Sequence, residues 1–254
     1  MSDRCARVVA ALTMLLAGAA VSVQAAGAVD ASDYLLLPTV TFGEREVEAR
    51  LGTSSSGERA AAAGDLAIGV ARGVTQHWFS ELAVHYHRGE GSGTALRGIE
   101  WENVVQLAEL GEWPVDVGMA LDIAQSIHFN EGASAKIGPL LQKEFGKYQV
   151  NLNVLFGRYF RGPASHPLEV EYQSQIKYRY REPLEFGVQA FGTPSSINHT
   201  WAALPNQEHR FGPVILGRIK LSKERSISYN AAYLRGFTVH SVDSTLRVQI
   251  EYEF

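Results

Sequence analysis

From Ser244 to Phe254 the chain reads Ser-Thr-Leu-Arg-Val-Gln-Ile-Glu-Tyr-Glu-Phe, with an apolar side chain at every second position and the alternation kept to the last residue. Successive side chains of a strand point to opposite faces, so this segment is a ribbon with one greasy and one polar face. Soluble domains more often end in a polar, frayed tail. Whatever covers the greasy face must therefore cover it to the end of the chain.

The same alternation recurs from Thr41 onward, broken by segments rich in Gly, Pro, Ser and Asn, and predicts a meander of about twelve strands. Phe42 to Leu51 opposes Val47, Ala49 and Leu51 to Glu44, Glu46, Glu48 and Arg50. Strands are likewise expected over Asp65 to Arg72, Trp78 to Tyr86, Val115 to Ala124, Tyr148 to Phe156, and Leu168 to Tyr180, with further ones from Leu184, Gln207 and Ser226. The segment Leu96 to Leu107 is irregular: Ile99, Trp101 and Val105 share one parity and Val104 falls on the other. Pro139, inside Ser134 to Phe145, predicts a bulge because proline cannot donate to a ladder.

At the N-terminus, Arg4 and Arg7 precede an apolar run from Val8 to Val21 and the small-residue stretch Val23-Gln24-Ala25, which reads as a secretory signal over 1–25 cleaved after Ala25. That run falls short of the roughly 20 residues of a helical membrane span, and no later segment reaches that length. Cys5, the sole cysteine, lies ahead of the apolar run, so the exported chain is expected to carry neither a disulfide nor a lipid anchor there. Losing Arg4, Arg7 and Asp3 takes the formal charge from -4 to about -5. This mild acidity gives no basic face for nucleic acid. Residues 26–40 are expected to form a periplasmic N-terminal arm or a partial plug, and 41–254 the β-structure.

A closing strand that finishes on Phe254 resembles the bacterial outer-membrane β-barrels, a porin-like class. The resemblance implies an all-β, closed, antiparallel up-and-down transmembrane β-barrel in a Gram-negative outer membrane. It also implies periplasmic N- and C-termini, and delivery by the barrel-assembly machinery through the strand ending at Phe254. The 46% hydrophobic content fits, since in such a barrel alternate residues alone meet lipid. Connection lengths agree, being short after even strands and mostly longer after odd ones. Aromatic residues fall into two belts: Trp78, Trp113, Tyr148, Tyr178, Tyr180, Tyr252 and Phe254 near one set of strand ends, and Tyr86, Phe156 and Tyr233 near the other.

The polar face would then line the lumen. Its candidate residues are Glu44, Glu46, Glu48, Glu81, Asp116, Asp122, Glu169, Glu171, Lys177, Arg179, Arg218, Lys220, Arg247 and Glu251. Inward acids outnumber inward bases by roughly two to one. Such a lining either forms an ion-pair network that fills the barrel or passes small solutes with a preference for cations. A barrel of about 8 strands is filled by side chains and one of 16 to 18 is open, so twelve strands predict a narrow channel for passive diffusion of small cationic or neutral solutes. The alternatives are a filled structural barrel and a hydrolase built on rim residues such as His85, His87, Ser92, His128, His199, Ser241 and the pair His240 with Asp243. No recognisable nucleophile motif surrounds these, so no catalytic residue is assigned. His85 and His87, about 7 Å apart on one face with Glu81, are metal candidates that would need a third ligand from a neighbouring strand or loop, and His128, His166, His199 and His240 fall in the expected outer loops. No cofactor signature is present: Cys-x-x-Cys-His is absent, and Gly52 to Gly57 lacks the ending of a phosphate-binding loop.

Overall fold

The computed structural model describes residues 31–55, 63–88, 93–127, 132–160, 168–196, 204 and 207–254. Twelve strands follow one another: β1 (Arg45–Ser55), β2 (Ala63–Gly73), β3 (Trp78–Arg88), β4 (Thr94–Gln106), β5 (Asp116–Ser126), β6 (Ala133–Phe145), β7 (Tyr148–Phe160), β8 (Glu169–Arg181), β9 (Leu184–Ser196), β10 (Glu208–Lys220), β11 (Ser226–Gly236) and β12 (Ser244–Glu253). Each pairs antiparallel with its sequence neighbours, and β1 pairs with β12 from Glu46↔Glu253 to Ser55↔Ser244, closing the barrel. Closure leaves no open edge, the condition for crossing lipid with strands.

The polarity is inverted relative to a soluble domain. Val70, Leu82 and Val188 are more than half exposed on the outside, whereas Glu48, Glu81 and Asn153 are at most 2% exposed within. Apolar residues thus form the outer belt and polar ones the interior, as a lipid solvent demands. Four short connections, 74–77, 146–147, 182–183 and 221–225, and the longer 107–115 lie at the end that carries Arg45 and Glu253, here the turn end. At the opposite, or loop, end the odd-numbered strands β1 to β11 finish and the even-numbered strands begin, and 237–243 joins β11 to β12 there.

Two local expectations, at the start of β1 and at Pro139, are corrected, and the irregularity expected in β4 is located. β1 begins at Arg45, not Phe42, and runs on to Ser55. The preceding residues form a turn in which Gly43 adopts φ +82° and its amide bonds Gly73 O at 3.0 Å, swinging the chain from the arm into the wall. In β4 the register against β3 shifts between His85 and Tyr86, which pair with Gly98 and Leu96. Above that bulge Arg97 turns its carbonyl to Ile127 N at 2.9 Å. Ile99, Trp101 and Val105 face out while Val104 is buried inside. Pro139 makes no register shift against either neighbour: the pairing with β5 is continuous, and with β7 the same register holds above and below Gly138 and Pro139.

Candidate lumen site

The segment Ala31–Val40 lies inside the barrel and runs from its loop-end half towards the turn end. The Ala31 amide donates to Asp65 Oδ2 at 3.1 Å, and the far side of that carboxylate meets His87 Nδ1 at 2.6 Å. Tyr34 places its ring against the Arg50 guanidinium, 4.1 Å from the centroid, and its hydroxyl donates to Glu102 Oε2. Leu36 is held through its backbone on both sides: its N–H donates to Gln173 Oε1 at 3.1 Å and its carbonyl accepts from Asn153 Nδ2 at 2.9 Å. The Asn153 amide also bonds Gln173 Oε1 at 2.9 Å, fixing the pair as one clamp. Val40 N donates to Gln106 Oε1 at 2.8 Å, and Arg247 donates to the Asp33 carbonyl. An extended segment without strand partners would otherwise bury bare backbone groups, and these side chains supply the partners.

Packing reinforces the clamp. Leu36 sits among Val104, Ala120, Leu140 and Leu155, with Tyr34, Val40 and Phe79 around them. Burying one such leucine is worth about 1.5–3 kcal/mol. Gly52 of β1 and Gly118 of β5 point inward beside the arm: a Cβ at Gly52 would overlap the Ala31 carbonyl, and one at Gly118 would lie 2.8 Å from Pro38 Cα. Beside Ala31 and Pro38 the wall carries no side chain, which lets the arm's backbone come close there.

The lining is electrically lopsided. Arg50 meets Glu48 at 2.8 Å, Glu81 at 3.1 Å and Glu100 at 3.6 Å. Carboxylates also face carboxylates across the ladders: Glu46↔Glu253 and Glu48↔Glu251 between β1 and β12, Glu81↔Glu102 between β3 and β4, and Glu102↔Asp122 between β4 and β5. Like charges so placed repel. On the opposite wall the bases are neutralised: Lys177 by Glu185 at 2.7 Å, Arg179 by Glu144 at 2.6 Å, and Lys136 by Glu171 at 2.9 Å. Arg218 reaches Glu253 at 2.7 Å, but among the described residues no ion pair forms at Glu46 or Glu251. A vestibule of about 480 Å³ opens between the two walls, and the arm from Tyr34 to Thr41 forms one side of it.

Of the lining candidates, Glu44, Glu46, Glu48, Glu81, Lys177, Arg179, Arg218 and Glu251 border this vestibule. Asp122 pairs across β5 and β6 with Lys136, and Glu171 bonds the same lysine. Glu169 lies half-buried at the loop end of β8. Arg247 is buried, with its guanidinium 4.7 Å from the Phe191 ring centroid. Two candidates sit at the turn mouth instead: Asp116 Oδ1 accepts from Gly111 N at 2.8 Å, and Lys220 pairs with Glu182 at 2.7 Å while largely exposed.

The belt candidates Trp78, Trp113, Tyr148, Tyr178, Tyr180, Tyr252 and Phe254 all stand at or beyond turn-end strand termini. Tyr148 packs on Tyr178 at 5.2 Å and Tyr252 stacks on Phe254 at 5.7 Å.

His85 and His87 bind separate carboxylates: His85 Nε2 meets Glu100 at 2.7 Å and His87 meets Asp65. Among the described residues, the acid groupings whose ligand atoms converge within 4.8 Å are Glu44, Glu46 with Glu253, and Glu46, Glu48 with Glu81. Ser241 Oγ is engaged by the His209 backbone and by Thr238. Ser92, His128, His166, His199 and the 1–25 signal lie outside the described residues. Sequence reasoning missed the residues that grip the arm. Their signal was the inward parity of Val104, Leu140 and Leu155, apolar side chains facing the lumen from β4, β6 and β7.

No family model matches the chain, and no curated protein matches its sequence. Solved structures do match its shape. An outer-membrane channel from Pseudomonas putida F1 superposes with a TM-score of 0.60 at 10% identity, covering 89% of this chain and 98% of that one. A KdgM porin in complex with disordered oligogalacturonate gives 0.56 at 8%, covering 82% and 99%, and a NanC porin gives 0.56 at 11%, covering 82% and 98%. At these identities the likeness is one of architecture: the chain has the fold of a porin-like outer-membrane β-barrel.

Proposed function

We propose that the chain is a bacterial outer-membrane channel for passive diffusion of small cationic or neutral solutes. The observation that carries this reading is the carboxylate excess along β1 and β12. Among the described residues Glu46 and Glu251 form no ion pair, and both border the open vestibule, an arrangement that costs folding energy through repulsion and that a permeant cation relieves. The neighbouring folds, named as channels and porins, support passage as the general role. The termini are assigned to the periplasm, because short turns gather there in outer-membrane barrels and longer loops face outward. The signal over 1–25 would supply export, and the assembly machinery would read the strand ending at Phe254. Lipid is the expected partner of the outer belt.

Planar-bilayer recording tests the reading. A salt gradient should give a reversal potential of cation-selective sign, reduced in Glu46→Gln/Glu251→Gln. Anion selectivity or complete silence of the purified barrel would contradict it. One observation favours the second reading, a filled structural barrel, namely the arm inside the lumen. Silence under every voltage and in every arm variant would be its signature.

A further inference from the structure

We propose that the inner wall around Asn153, Gln173 and Gln106 is a binding path for an extended peptide, and that the chain's own Ala31–Val40 segment is its resident, displaceable occupant that closes the channel. This rests on the channel reading above.

The contacts are those of peptide recognition. At Leu36 both backbone groups are read by carboxamides, and at Val40 the amide is read by a third, Gln106. None of these bonds depends on the identity of the arm's side chains. Specificity comes from one apolar socket for Leu36 and from the Tyr34 ring seated on Arg50. Gly52 and Gly118 keep the wall flat where a main chain must pass. These five positions lie on β1, β4, β5, β7 and β8, so the path is a property of the barrel's interior and would persist if the arm left it.

Displacement is physically accessible because the arm is joined to the wall only through side chains. It makes no backbone ladder with any strand along Ala31–Val40, so releasing it breaks no sheet hydrogen bonds. Its departure would unite the vestibule with the space the arm fills.

The test uses the full-length chain. Leu36→Glu places a charge in the apolar socket while leaving every wall residue intact. Its conductance should exceed wild type by roughly threefold or more, since a polypeptide strand vacates the pore. Adding a synthetic peptide of sequence Ala31–Val40 should return the variant to the wild-type level, and the same peptide carrying Glu for Leu36 should not. A second variant, Leu36→Cys/Leu140→Cys, joins two side chains already packed together and folds without any change of charge. Oxidised, it should lose the wild-type open events, and reductant should restore them.

Equal conductance in Leu36→Glu and wild type, failure of the native peptide to close the variant, or open events unaffected by the cross-link would each overturn the proposal while leaving the channel reading in place. If wild type and both variants are all silent, the channel reading falls, and this inference with it.

Discussion

The Tyr34 hydroxyl donates a 2.5 Å hydrogen bond to Glu102, a residue 68 positions along the chain on β4, three strands round the barrel from β1, into which the arm turns. Glu102 itself stands opposite Glu81 and Asp122 on neighbouring strands, so the arm contributes a neutral donor to a carboxylate flanked by two others.

Tyr34→Phe keeps the ring against Arg50 and removes only this donor. The buried carboxylate then lacks a partner, and the detergent-solubilised barrel should lose about 1–3 kcal/mol of stability. Thermal unfolding followed by the loss of strand signal measures it. An unchanged midpoint would mean that Glu102 is satisfied without the arm.

Arg50 is the hub of the acidic side, with Glu48, Glu81 and Glu100 around it and all but the last nearly excluded from solvent. Arg50→Met should destabilise the barrel by about 3–5 kcal/mol, because it leaves several buried carboxylates uncompensated. Arg50→Lys should recover part of that loss without restoring the forked contacts. Urea unfolding in the same detergent would rank the three proteins.

Gly118→Leu would drive a side chain into Pro38. The wall is built of paired strands and the arm is not, so the arm should yield. Limited proteolysis should then cut between Ala31 and Val40 in the variant at concentrations that leave wild type intact, and the barrel should lose at least the stability that goes with the Tyr34 donor, about 1–3 kcal/mol.

Glu46→Gln/Glu251→Gln removes two charges from a like-charged ladder. Stability should rise or hold, by about 0.2–1 kcal/mol, while cation preference falls. A loss of stability with unchanged selectivity would separate these residues from the conduction path.

Phe254 closes the seam: its amide donates to Arg45 O at 2.9 Å and its ring stacks on Tyr252. Phe254→Ala should lower the amount of assembled, heat-modifiable barrel in outer membranes more than it lowers the melting temperature of the protein that does assemble. Equal effects on both would point to a purely structural part for this ring.

Period-two alternation by itself determined the strand set and the antiparallel all-β fold, because these depend on local geometry and on which solvent meets each face. The β3–β4 bulge and the unshifted register at Pro139 were set elsewhere, by pairing with neighbours that a single strand's pattern does not contain. The arm's route was decided by the tertiary structure alone. Val104, Ala120, Leu140 and Leu155 belong to four strands and form a socket only when β4 to β7 curve side by side, and the Asn153 and Gln173 carboxamides face Leu36 only once the barrel has closed around it. A socket assembled from distant residues has no period, and so leaves no trace in the pattern of any one segment.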